Sequence, residues 1–157
     1  TYSEEMQKAV NDELDKIFAS LFTEEMDIND KILKIHDYVI DKAYYDMEDH
    51  PNSGNAYGAL IEGRAKCAGY ADAMALALSR LGVVNYKVAS EKHVWNAVYL
   101  DGKWEHIDLT WDDPVVQEGA TITDSIRHKF FRIDTDTLLS YDTLEHNFDM
   151  NVYIELR

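Results

Sequence analysis

A single cysteine, Cys67, stands in the run Lys66-Cys67-Ala68-Gly69-Tyr70. Between Ala71 and Leu81 just behind it, only Asp72, Ser79 and Arg80 are polar. A cysteine in that position opens a helix, and the partial positive charge of a helix N-terminus favours the thiolate, the reactive form. Downstream lie a histidine and a carboxylate, His93 and Asp108. A thiol, a base to take its proton and an acid to orient the base are what acyl transfer from an amide or ester requires. The Cys67 backbone N–H would add an oxyanion donor. The competing reading is that a lone cysteine is a small buried hydrophobe. Which one holds depends on the elements that carry the three residues.

Residues 93–100 and 103–110 alternate as strands and are joined by Asp101-Gly102, a strong signal for a two-residue hairpin. With that turn, Leu100 faces Lys103, Trp95 faces Asp108 and His93 faces Thr110. Side chains alternate with period two, so His93, Trp95, Asp108 and Thr110 share a face. His93 and Asp108 are then diagonal neighbours with Cα atoms about 7–8 Å apart, within reach of an imidazole and a carboxylate. His106 is assigned, with Trp104, to the opposite face and set aside as a base. If the helix opened by Cys67 directs its N-terminus toward the His93 face, thiol and imidazole meet.

The remaining elements follow from periodicity. Met6, Val10, Leu14, Ile17, Phe18, Leu21 and Phe22 predict a helix over 3–22, and Ile28, Ile32, Leu33, Ile35, Val39 and Ile40 a second over 28–44, N-capped by Asp27. Residues 46–55 read as a loop and 56–62 as a short helical turn. The helix from Cys67 is apolar on nearly every side, hence central and buried, and Gly82 stops it. Strands are expected over 83–90 and 128–133, a polar excursion over 112–127, and a short helix near 136–145 followed by a terminal strand. His36 reads as a packing residue, Asp112 as a turn cap, and His50, His128 and His146 as scattered. No H-x-x-x-H spacing occurs, so no metal site and no cofactor are expected.

The 157-residue chain, 46% hydrophobic with seven Gly and two Pro, fits one mixed α+β domain with a real core. Fifteen basic against thirty acidic residues give a net charge of −15, which repels phosphate backbones and argues against nucleic acid. One cysteine excludes an intrachain disulfide and a cysteine zinc cluster. No apolar run approaches the roughly 20 residues of a membrane span. A chain opening on Thr1 reads as a mature or excised fragment with possible neighbouring domains.

Three segments together resemble the transglutaminase-like superfamily. These are Lys66-Cys67-Ala68-Gly69-Tyr70-Ala71, His93-Val94-Trp95-Asn96, and Trp104 through Asp112 with Asp108 at its centre. The resemblance spans about residues 28–114 within a single domain over 1–157, leaving 1–27 as an N-terminal helical arm. It implies a papain-like fold in which the nucleophile's helix packs on an antiparallel sheet, with Cys67 as nucleophile, His93 as base and Asp108 as orienting acid. Animal cross-linking relatives use an upstream Trp for the oxyanion, but Trp95, Trp104 and Trp111 all follow Cys67, and Gln7 is the sole glutamine before it. Tyr57 is the candidate second donor, with Trp95 a further candidate cleft residue. The implied function is a cysteine amide hydrolase, most simply a peptidase acting on peptide or protein. The alternatives are a protein-glutamine transglutaminase or deamidase, and a non-catalytic protein- or cell-wall-binding module. The resemblance implies an extracytoplasmic or surface setting in a bacterium, with a cytoplasmic one left open.

Overall fold

The computed structural model describes residues 2–114, 121 and 123–157. Helix α1 (Glu4–Leu21) starts where the Ser3 side chain accepts the Met6 N–H, and buries Val10, Leu14 and Ile17. Helix α2 (Ile28–Lys42) starts at Asp27, whose side chain accepts the Asp30 N–H while Asp30 reaches back, a capping box. Strand β1 (Tyr44–Tyr45) pairs in parallel with β2 (Arg64–Ala65), with Tyr45 opposite Ala65. Between them runs the 46–55 loop, followed by one wide π-type turn, Gly58–Glu62.

Helix α3 (Cys67–Arg80) is central and ends before Gly82, which takes φ 74°. Strands β3 (Val84–Ala89), β4 (Val94–Leu100) and β5 (Lys103–Ile107) form an antiparallel sheet in that order. The hairpin register is the one the Asp101-Gly102 turn demands: Leu100 pairs with Lys103 and Asn96 with Ile107. Both turn residues have positive φ, 53° and 78°, as a type I′ turn requires.

The sheet separates two apolar clusters. On one face Val98 and Ile107 join Tyr70, Ala73, Met74 and Ala77 of α3 and the buried stripes of α1 and α2. The first helix is thus docked in this core, where each fully buried aliphatic contributes about 1.5–3 kcal/mol. On the other face Val88, Trp95 and Ala97 meet Phe130, Leu138, Phe148 and Leu156 from the C-terminal quarter. That quarter holds helices α5 (Asp124–Arg127) and α6 (Thr135–Tyr141) and a closing 3₁₀ turn, Ile154–Leu156.

Four expectations are corrected. Strand β5 ends at Ile107 rather than Thr110, because the Asp108 side chain accepts the Trp111 N–H and starts helix α4 (Leu109–Asp112). Residues 128–133 form a turn whose only ladder contact is an isolated bridge from Ile133 to His106, and the chain ends in the 3₁₀ turn instead of a strand. His106 lies on the same face as Asp108, since residues two apart on a strand point the same way, and its Nδ1 accepts the Trp95 indole N–H at 2.9 Å.

Candidate active site

Cys67 is the first residue of α3 and is partly accessible. Its position is fixed by a close approach of backbone. The Ser53 carbonyl accepts the Lys66 N–H at 2.8 Å, and a Cβ on Gly69 would stand 2.3 Å from that same oxygen. Only glycine fits there, which accounts for the glycine two residues after Cys67. The 46–55 loop is itself held by Asp46. This carboxylate is 1% exposed and accepts N–H groups of Glu48 and His50 and the hydroxyl of Ser53. Burial opposes its charge, but these donors hold its pKa well below the carboxylate range.

Helix α3 packs on the Asn96–Val98 face, with the Asn96 amide donating to the Ala71 carbonyl at 3.0 Å. Thiol and imidazole therefore meet at the end of the sheet, where His93 precedes the first residue of β4, rather than over the face that carries Trp95. Ser90 secures that corner by accepting the His93 N–H on its hydroxyl. The His93 Nε2 stands 2.7 Å from Asp108 Oδ2, which leaves Nδ1 for the thiol. The Cys67 pKa is lowered, first by its hydrogen bond to His93 and further by the N–H groups of Val94 and Ala68. Burial alone would lower the pKa of His93, but Asp108 and the thiol outweigh it and raise it to about 10. Burial likewise pushes Asp108 up, but the hydrogen bonds from His146 and His93 prevail and hold it ionised. The three residues singled out by sequence thus lie together at this corner, with His93 hydrogen-bonded to Asp108 and the thiol pKa lowered by His93.

The other two candidates fall elsewhere. Trp95 is 1% exposed and stacks beneath His93, centroids 5.6 Å apart, so it is a buried floor rather than a cleft wall. Tyr57 packs against the main core, and no hydrogen bond among the described residues joins it to Cys67. The phenol that feels the thiol electrostatically is Tyr45, whose pKa is raised by burial and then by the charge of Cys67. The signal for Tyr45 was the pairing of its strand with the segment just before Cys67, which sequence periodicity does not reveal. Tyr45 also lines a groove of about 230 Å³ with Thr110, Trp111, Asp113 and Pro114.

Sequence reading missed His146. Fully buried, it presents Nε2 to Asp108 Oδ2 at 2.6 Å and Nδ1 to Asp142 Oδ2 at 2.8 Å. It also placed His36 and Asp112 too blandly. The Asp112 carboxylate is buried against His36 Nε2 at 2.8 Å and accepts the Phe130 N–H, and burial raises its pKa to about 6. His36 continues to Asp37, which also meets His128. Among the described residues two groups converge closely enough to be weighed as metal ligands: His93, Asp108 and His146, and His36, Asp37 and His128. Their facing atoms stand 2.6–2.9 Å apart, the spacing of shared protons. Two ligands about 2.0–2.2 Å from one tetrahedral zinc stand more than about 3 Å apart, so both groups are hydrogen-bonded chains as they stand.

A structure described as a TGase superposes with a TM-score of 0.61 at 23% identity, over 82% of this chain and 38% of the other. The structure of menin superposes with a TM-score of 0.53 at 23% identity, over 77% of this chain and 28% of the other. Human kyphoscoliosis peptidase is 45% identical over 38 residues, 24% of this chain and 5% of that protein. The chain therefore spans well under half the length of these relatives. The transglutaminase-like superfamily profile matches residues 15–109, from within α1 through β5 to the first residue of α4. The chain belongs to the transglutaminase-like superfamily.

Proposed function

We infer that the protein is a cysteine-nucleophile amide hydrolase acting on peptide or protein. The observation that carries this reading is the line from Cys67 through His93 to Asp108, with the thiol lowered by the imidazole and the imidazole 2.7 Å from the carboxylate. In the first step the Cys67 sulfur attacks the amide carbon. The developing oxyanion is met by the Cys67 N–H, which has no partner within its helix. Tyr45 is the second donor supported by its electrostatic coupling to the thiol, and Tyr57 the one that sequence alone suggests. His93 gives its proton to the leaving amine, and a thioester remains on Cys67. Water, deprotonated by His93, then releases the acid and restores the thiol. With a net charge of −15, neutral or basic segments are the favoured substrates. The proposed setting is the outside of a bacterial cell, as sequence reading suggested.

The test is to incubate the protein and its Cys67→Ala variant with peptide and glutamine-amide libraries. New peptide termini that require Cys67 support hydrolysis of the chain. Ammonia release or amine incorporation at glutamine would assign deamidation or cross-linking instead. No Cys67-dependent product would leave the binding-module reading. That second reading draws on the likeness to menin, whose structure is described as revealing a binding site for the Mixed Lineage Leukemia protein.

A further inference from the structure

His146 stands where a three-residue relay would end, and the structure gives it a partner on both sides. Its Nε2 faces Asp108 Oδ2 at 2.6 Å and its Nδ1 faces Asp142 Oδ2 at 2.8 Å. A neutral imidazole carries one N–H and would aim a lone pair at one of these carboxylates. Two short contacts to two carboxylates call for protons on both nitrogens. Both neighbours are built to stay charged. Asp108 Oδ2 accepts from His93 as well, while its Oδ1 accepts the Trp111 N–H. Asp142 accepts the N–H groups of Leu144, Glu145 and His146, which outweigh its burial and hold its pKa at about 2.

The ring is also fixed in place. Phe130 stacks on it with centroids 5.4 Å apart, and Trp95 and Trp111 meet it edge to face, each at 4.8 Å. The titratable groups around it are Asp108, Asp142, His93 at 5.1 Å between rings, and His106. His106 serves as a contrast within the same cluster. Its Nδ1 accepts from Trp95, its Nε2 meets the Thr135 hydroxyl, and Thr135 donates to the Leu156 carbonyl. That chain is complete with a neutral ring; burial and the nearby His146 lower the His106 pKa to about 4. One buried histidine is thus hydrogen-bonded as a neutral ring, and the other faces a carboxylate on each side.

We propose that His146 is a positioning residue of the thiol site, an imidazolium that clamps Asp108 against His93 and extends the relay to Cys67–His93–Asp108–His146–Asp142, five groups of alternating charge. The proposal rests on the reading of Cys67 and His93 as a reactive pair. No proton leaves the chain in this arrangement: the thiol proton resides on His93, His146 keeps both of its own, and both carboxylates stay ionised. The cation at His146 offsets the Asp108 charge as seen from the sulfur. Removing it both loosens Asp108 and makes the thiolate harder to form.

The experiment follows the rate of Cys67 alkylation by iodoacetamide against pH in the wild type, His146→Gln, His146→Phe and Asp142→Asn, with thermal unfolding of each. Gln keeps one N–H toward Asp108 without the charge, and Phe fills the aromatic cage with neither. The expected result is a low-pH limb displaced upward by about one pH unit in His146→Gln and Asp142→Asn, about tenfold slower alkylation on that limb. The displacement is expected to be larger in His146→Phe. A purely structural role would lower the melting temperature and leave the limb in place, and that result would overturn the proposal. Should the His146 variants fail to fold, Asp142→Asn decides, because its amide oxygen can still accept the Glu145 and His146 N–H groups and gives up only that of Leu144. A wild type with no low-pH limb would instead sink the reactive-pair reading on which the proposal rests.

Discussion

Replacing Asp108 by Asn keeps the shape of the side chain and removes both its charge and half its acceptors. The Asp108 Oδ1 accepts the Trp111 N–H that starts α4, so an amide would keep its oxygen there and turn its NH₂ toward the two histidines. His93 Nε2, now 2.7 Å from a carboxylate oxygen, would face a donor and have to accept. Its proton would move to Nδ1, the nitrogen that must be free to take the thiol proton. The magnitude follows from the His93 pKa, raised to about 10 by Asp108 and the thiol against burial. Without the carboxylate it should fall toward its ordinary value of about 6.5, a loss of about a thousandfold or more in proton affinity. The sign is clear: the imidazolium that persists to high pH in the wild type would be lost near neutrality in Asp108→Asn. The assay is the NMR titration of His93, paired with the ultraviolet absorbance of the Cys67 thiolate across the same pH range. Any acyl-transfer turnover should drop by about 10³–10⁴, the scale of carboxylate-to-amide replacement in such triads. A His93 titration unchanged by the substitution would refute the reasoning, since it would mean that Asp108 does not set the state of the base.

Other consequences are as specific. Gly69→Ala puts a Cβ 2.3 Å from the Ser53 carbonyl oxygen and 2.9 Å from Ala65 Cβ, and should cost about 1–3 kcal/mol in urea unfolding. Gly54→Ala, which meets nothing within 4 Å, is the near-neutral control. His36→Leu leaves the buried Asp112 carboxylate without its ring partner and should cost about 3–5 kcal/mol at neutral pH. Because the folded pKa of Asp112 is raised to about 6, the neutral acid is favoured in the fold; the stability it contributes is present below about 3.8 and lost as pH rises through 6. The His36→Leu deficit should therefore shrink in acid, as unfolding at two pH values would register. Tyr45→Phe should leave alkylation of Cys67 nearly unchanged while lowering turnover of a found substrate about 10²–10³-fold, and Tyr57→Phe should not; equal effects would remove the oxyanion role from Tyr45.

Much of the site was legible because its parts sit on strongly patterned elements. Cys67 opens a helix apolar on nearly all sides, and Asp101-Gly102 fixes a register that brings His93 within reach of Asp108. Asp27 was readable as a cap because its side chain precedes a clear helical stripe. What failed lies where side-chain bonds override periodicity. Lys129-Phe130-Phe131 reads as strand, but Phe130 stacks on His146 and its N–H goes to the Asp112 carboxylate instead of a ladder. Trp111-Asp112-Asp113-Pro114 reads as a polar turn, yet Asp112 faces inward to a histidine 76 residues earlier. His146 lies in an irregular segment 38 residues beyond Asp108. The local mark of its role was Asp142 four residues before it, spaced to close a turn on its own ring. His106 was misplaced because its parity with Asp108 was overlooked, although the register already required a shared face.

The proposed chemistry depends on Cys67 and His93 forming a thiolate–imidazolium pair. The measurement that tests it most directly is the pH dependence of Cys67 alkylation by iodoacetamide in the wild type and in His93→Ala. Wild-type reactivity is expected to persist well below the free-thiol pKa of about 8.5, and His93→Ala to abolish this low-pH limb. A thiol that titrates as free cysteine whether or not His93 is present would contradict it.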